Sequence, residues 1–150
     1  MYQRIFVAID SSSTAQKALD EAIYLAVKLE AGLCIGTALD EAPLSQHGLG
    51  LGTYIDLEKV KQEMRDVGNA LLEKAVAQAK AAGCEPYSIL IESEEKRLSD
   101  MIIDAAAQWN ADLIVMGTHG RRGFERMLVG SVAEHVIRAA NTTLLLVRKK

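Results

Sequence analysis

A chain of 150 residues with 49% hydrophobic and 25% charged residues fits one ordinary globular domain, residues 1–150, burying roughly 70% of its unfolded surface and needing no disulfide or metal staple. Its formal net charge of -3 argues against a dedicated nucleic-acid binder, and extended disorder is excluded by the same composition. No window approaches the roughly 18 consecutive apolar residues of a membrane span, no leader is read at the N-terminus, and Cys34 and Cys84 lack any CxxC pairing, so the expectation is a cytoplasmic protein with free thiols.

In chain order, Ile5 to Ile9 is a continuous apolar run closed by Asp10 and three serines, the pattern of a strand covered on both faces. Ser13 with Gln16 reads as a capping box for a helix whose Ala15, Ala18, Leu19, Ala22, Ile23, Ala26 and Leu29 recur at helical spacing up to Gly32. Leu33 to Leu39 reads as a second strand, followed by a glycine-bearing loop through Pro43, Gly48, Gly50 and Gly52. That loop only superficially suggests a dinucleotide fingerprint, since its third glycine is misplaced and it follows the second strand.

A long helix is predicted from Asp56 to Ala82, with Leu57, Val60, Met64, Val67, Leu71 and Ala75 inward and Gly68 weakening its middle. Tyr87 to Ile91, Leu98 to Trp109, Leu113 to Met116, Val132 to Ala140 and Thr142 to Val147 then alternate as strand, helix, strand, helix and strand. This alternation predicts an α/β fold: a parallel sheet with helices on both faces, whose ligands sit beyond the carboxyl ends of the strands where the winding reverses.

The chemistry concentrates in Gly117 to Ser131, a glycine-rich, doubly basic loop between a buried-type strand and a new helix. Gly117, Gly120 and Gly130 allow close backbone approach, and the following helix start offers unpaired amides to an anion. Ser131 and Glu134 read as a second capping box, which by itself would explain the serine. Asp10 either stops its strand or meets a ribose hydroxyl or a phosphate-bound metal. His119 is the one histidine placed to touch a ligand; Arg121 and Arg122 are either solvated or paired with a polyphosphate. No P-loop, no metal-ligand spacing and no serine with a recognisable base occurs.

Glycine, two residues, glycine, nine residues, then glycine and serine, as in Gly117, Gly120, Gly130 and Ser131, resembles the nucleotide-binding branch of the universal stress proteins, and the likeness runs along essentially the whole chain. The resemblance implies a five-stranded sheet in order 3-2-1-4-5, ATP as ligand with Mg as its candidate counter-ion, and a homodimer paired through the last strand. Position by position, it implies that Ile9 and Asp10 meet adenine and ribose and that Ala38 lines the adenine pocket. Met116, Gly117, His119 and Gly120 would wrap ribose and phosphates, and Gly130, Ser131 and Val132 would hold the phosphate tail. Ala8 and Ala38 stand where relatives carry proline and valine. The function so implied is an adenine-nucleotide-binding stress sensor or regulator with slow or absent turnover; the alternative is a slow hydrolase or nucleotidyl transferase using the same loop.

Overall fold

In a computed structural model, which describes residues 1–41, 44, 56–119 and 129–149, five strands and four helices alternate. They are β1 (Arg4–Ala8), α1 (Ser13–Leu29), β2 (Gly32–Ala38), α2 (Leu57–Ala81), β3 (Tyr87–Ile91), α3 (Leu98–Gln108), β4 (Leu113–Gly117), α4 (Ser131–Ala139) and β5 (Thr143–Val147). The sheet is parallel throughout, in order β3-β2-β1-β4-β5. The apolar runs expected to be covered on both faces occupy its centre: Ile5, Phe6 and Val7 of β1 and Leu113 to Met116 of β4 are buried.

The two-residue period of a strand sends alternate side chains to opposite layers. Ile5, Val7 and Ile9 join Leu33, Ile35, Leu113 and Val115 under α1 and α2. Phe6, Cys34 and Ile114 face the other way, under α3, and Met116 packs with Ala133 and Val136 of α4. Burial among these groups pushes the Cys34 thiol up to about 11, so it stays neutral near neutral pH.

Element ends show where local rules were overridden. The α1 cap is Ser12, not Ser13: Ser12 is extended and its hydroxyl accepts from the Ala15 amide at 3.2 Å, while Ser13 is already helical. Gln16 reaches sideways to Asp20 and Gln78 instead of back to the cap. The helix ends on Glu30 in the left-handed region, φ 52°, so Gly32 is free to begin β2.

The inward face of α2 is also rotated from the expected one. Gly68, Leu72, Ala75 and Ala79 are buried, whereas Leu57 is partly exposed and Val67 is 64% exposed. Gly68 sets this phase, because a Cβ there would come within 2.7 Å of Leu90 Cδ1 and 3.1 Å of Leu39 Cδ2. The glycine that costs helix propensity is the point where α2 touches the sheet.

At the amino-terminal end of the sheet, Asp112 accepts hydrogen bonds from the Gln3 and Arg4 amides at 2.8 and 3.0 Å. Arg4 Nε donates to the Trp109 carbonyl, its guanidinium lies 4.1 Å from the indole centroid, and the Tyr87 ring is tilted against the indole at 6.2 Å. Among the described residues no helix is long and apolar enough to cross a membrane.

Candidate functional site

The site follows from the sheet order. β1 feeds α1 toward β2 on one side and β4 feeds α4 toward β5 on the other, so the winding reverses between β1 and β4, which pair at Ile5–Leu113, Phe6–Ile114 and Val7–Val115. The loops leaving their carboxyl ends therefore meet, at the crevice where open α/β sheets hold ligands.

On the β1 side, Asp10 Oδ1 accepts from the Ser12 amide at 2.8 Å, an Asx turn that aims the chain into α1. The structural use of this half-buried carboxylate is thus present. Ile9 donates its amide to the Gly36 carbonyl at 2.9 Å and accepts from Thr37 Oγ1 at 2.8 Å. Its side chain packs beneath α1 and α2, on the opposite face from Ala38. The sheet does bring Ala38 together with Ala8 and Val132, and Met116 with the same two residues. Of the two residues expected around adenine, Ile9 and Ala38, the side chains thus lie on opposite faces of the sheet.

On the β4 side, a Cβ on Gly117 would lie 2.6 Å from Thr14 Oγ1, so the strand's last residue abuts the first turn of α1. Thr14 Oγ1 donates to the His119 carbonyl, with Ser12 Oγ at 3.4 Å from the same oxygen. His119 Nδ1 lies 3.1 Å from Thr118 Oγ1. The Gly130 amide donates to the Thr118 carbonyl at 2.6 Å.

Gly130 is extended and starts α4 with no side-chain cap. The Ser131 capping box is not formed: Ser131 is the first helical residue, and Glu134 pairs with Arg138 at 2.8 Å. The first hydrogen bond within α4 runs from the Glu134 amide to the Gly130 carbonyl at 2.9 Å. The Ser131, Val132 and Ala133 amides precede it and have no carbonyl within the helix to donate to. A Cβ on Gly130 would press on the Thr118 carbonyl at 3.1 Å and His119 Cα at 3.5 Å. Its glycine thus lets the two ends of the loop close on each other.

Gly120 and Arg121, with Arg122 and Arg126, lie outside the described residues, as do Pro43, His47, Gly48, Gly50 and Gly52. Sequence reading passed over two hydroxyls, Thr14 and Thr37, both buried and both donating to backbone carbonyls of the crevice. The available signal was a threonine inside an otherwise apolar strand and another opening an alanine-rich helix. Beside Thr37, a cleft of about 320 Å³ runs between Ser11, Leu39 and the Met64, Gly68 and Lys74 side of α2. Among the described residues no group of three histidine, cysteine or carboxylate side chains comes together to hold a metal.

Residues 1–148 match the universal stress protein family. A universal stress protein of Methanocaldococcus jannaschii is 31% identical over 99% of this chain and 84% of its own length, and one of Bacillus subtilis is 30% identical over 99% and 100%. Among solved structures, a family member from Burkholderia pseudomallei is 30% identical with a TM-score of 0.78, covering 97% of this chain and 96% of its own. A universal stress protein in complex with cAMP is 28% identical, TM-score 0.71, with 99% of each chain covered. The Archaeoglobus fulgidus protein in complex with dAMP is 26% identical, TM-score 0.69, covering 97% of this chain and 98% of its own. Sheet order, glycine spacing and near-complete coverage agree: the chain belongs to the universal stress protein family.

Proposed function

We propose that this protein is a cytoplasmic sensor or regulator that binds an adenine nucleotide, ATP foremost, beyond the carboxyl ends of β1 and β4. The carrying observation is the start of α4 at Gly130, which no described side chain caps and whose first three amides have no carbonyl within the helix, beyond the carboxyl end of β4 as the Asp10 turn is beyond that of β1. The cAMP and dAMP complexes of relatives support this, because both ligands join adenine, a ribose-type sugar and phosphate. In this reading Ser131, Val132 and the Gly130 turn hold phosphate, Asp10 takes the ribose, and Ala38 and Met116 border the base. Bound ATP supplies a charge state that differs from that of ADP or AMP, which is what a sensor reads. Calorimetric titration with ATP, AMP and cAMP tests the reading: saturable binding is expected, and silence toward all three in folded protein overturns it. Single-turnover product analysis separates the sensor from a slow hydrolase or nucleotidyl transferase working on the same loop.

We further propose a homodimer paired through β5. The Val147 carbonyl accepts from the Thr118 amide at 3.0 Å, so Val147, Leu145 and Thr143 direct their backbone polar groups to β4. By alternation, Leu144 and Leu146 direct theirs outward, along an apolar edge without an inward charge or proline. Pairing with its own copy closes that edge at two subunits. Leu146→Pro removes an outward donor and spares the ladder to β4, so the expected product is a folded monomer by light scattering. A Leu146→Pro variant that stays dimeric at micromolar concentration would rule out this interface.

A further inference from the structure

We propose that Thr14 is a positioning residue that latches the neck of the phosphate loop to α1, so that one hydroxyl holds the phosphate side of the crevice against the helix start that the Asp10 turn sets. This rests on the nucleotide reading above for its functional half, but its structural half does not.

The neck is built from two successive carbonyls pulled in different directions. That of Thr118 accepts the Gly130 amide at 2.6 Å, which draws the start of α4 against the end of β4. That of His119 accepts the Thr14 hydroxyl, which draws the same two residues against the start of α1. Thr118 is itself held from below, its amide donating to the Val147 carbonyl at 3.0 Å. Thr14 is only 3% exposed, so water does not compete for this contact. Ser12 Oγ donates to the same carbonyl only at 3.4 Å, the long limit of a hydrogen bond, which leaves Thr14 as the principal donor. The bare Gly117 backbone is what admits the Thr14 side chain at that distance.

Two consequences follow from this arrangement. Thr14 lies four residues beyond Asp10 on the same turn-and-helix start, and Asp10 fixes that turn through the Ser12 amide. A displacement of the α1 start on ribose contact is therefore passed to the His119 carbonyl and, through the adjoining peptide, to the Gly130 amide. A ligand lacking phosphate engages the first half of this path only, which makes the latch specific to the phosphate part of the ligand.

The test compares wild type with Thr14→Val, which removes the hydroxyl at nearly constant volume, and Thr14→Ser, which keeps it. NMR exchange of the Gly130 and Thr118 amides is followed without ligand, and calorimetry gives affinities for ATP and for adenosine. Thr14→Val is expected to speed Gly130 exchange and weaken ATP by about tenfold, with adenosine unchanged and Thr14→Ser near wild type. Unchanged Gly130 exchange in Thr14→Val overturns the latch. So does a Thr14→Ser variant as impaired as Thr14→Val, or an equal loss of ATP and adenosine affinity. If wild type binds neither ligand, the nucleotide reading fails while the exchange result still decides the latch. Should Thr14→Val not fold, Thr14→Ala removes the same hydroxyl without bulk; failure of both beside a folded Thr14→Ser shows a role in the whole fold and overturns the local latch.

Discussion

Phe6→Ala is expected to lower the unfolding free energy by about 3 to 5 kcal/mol, measured by urea denaturation. Phe6 is fully buried in the central strand and packs with Cys34, Ile102, Ala105, Ala106 and Ile114. The ring extends over Gly36 of β2, where a Cβ would sit 2.6 Å from Phe6 Cζ and 3.4 Å from Ile89 Cγ2. The phenyl group therefore fills the volume that the glycine leaves vacant, and its loss opens a cavity that the rigid sheet cannot collapse. The pair is coupled: Gly36→Ala should be costly in wild type and markedly less so beside Phe6→Leu. Additive costs in that cycle, or a Phe6→Ala loss below about 1 kcal/mol, would contradict this packing.

Gly117→Ala is expected to cost about 1 to 3 kcal/mol, although only one methyl group is added. The new carbon would lie 2.6 Å from Thr14 Oγ1, 2.8 Å from Thr14 Cβ and 3.0 Å from the Thr14 backbone carbon. The last of these is main chain, so no rotamer change relieves the contact and the start of α1 must retreat from β4. Because retreat also lengthens the Thr14 contact to the His119 carbonyl, the same variant should bind ATP more weakly per folded molecule. Thermal melts and calorimetry on the same preparation check both effects. A variant with wild-type stability would mean that the strand and helix ends are not held this tightly.

The sheet was legible because its central strands are unbroken apolar runs. Ile5 to Ile9 and Leu113 to Met116 announce two-sided burial, and the resemblance supplied the order 3-2-1-4-5 that pairing bears out. The phase of α2 was less legible, since periodicity over Leu57 to Ala75 weighs hydrophobicity and cannot know that Gly68 is the residue that lets the helix approach β2 and β3. Caps slipped by one residue for a related reason. Three consecutive serines offer equivalent hydroxyls, and the Asp10 turn decides that Ser12 is the extended one.

At the site, the spaced glycines have a use within the chain besides the one expected of them. Gly117 and Gly130 are required by approach to Thr14 and to the Thr118 carbonyl, contacts within the chain itself. The Thr14 contact with His119 spans a sequence separation of 105 residues, and nothing local to either residue signals it.

Trp109, the chain's sole tryptophan, lies with Arg4 and Tyr87 at the amino-terminal end of the sheet. Arg4 and Ala8 stand at the two ends of β1, four steps of about 3.3 Å or roughly 13 Å apart. The indole is thus an optical reporter of the floor of the molecule and is blind to its mouth. Its emission should shift sharply when the Arg4 and Tyr87 contacts are lost on unfolding, while remaining flat as ligand fills the crevice. Fluorescence denaturation curves taken with and without nucleotide then differ only through the midpoint that binding displaces, free of any quenching signal from the ligand itself.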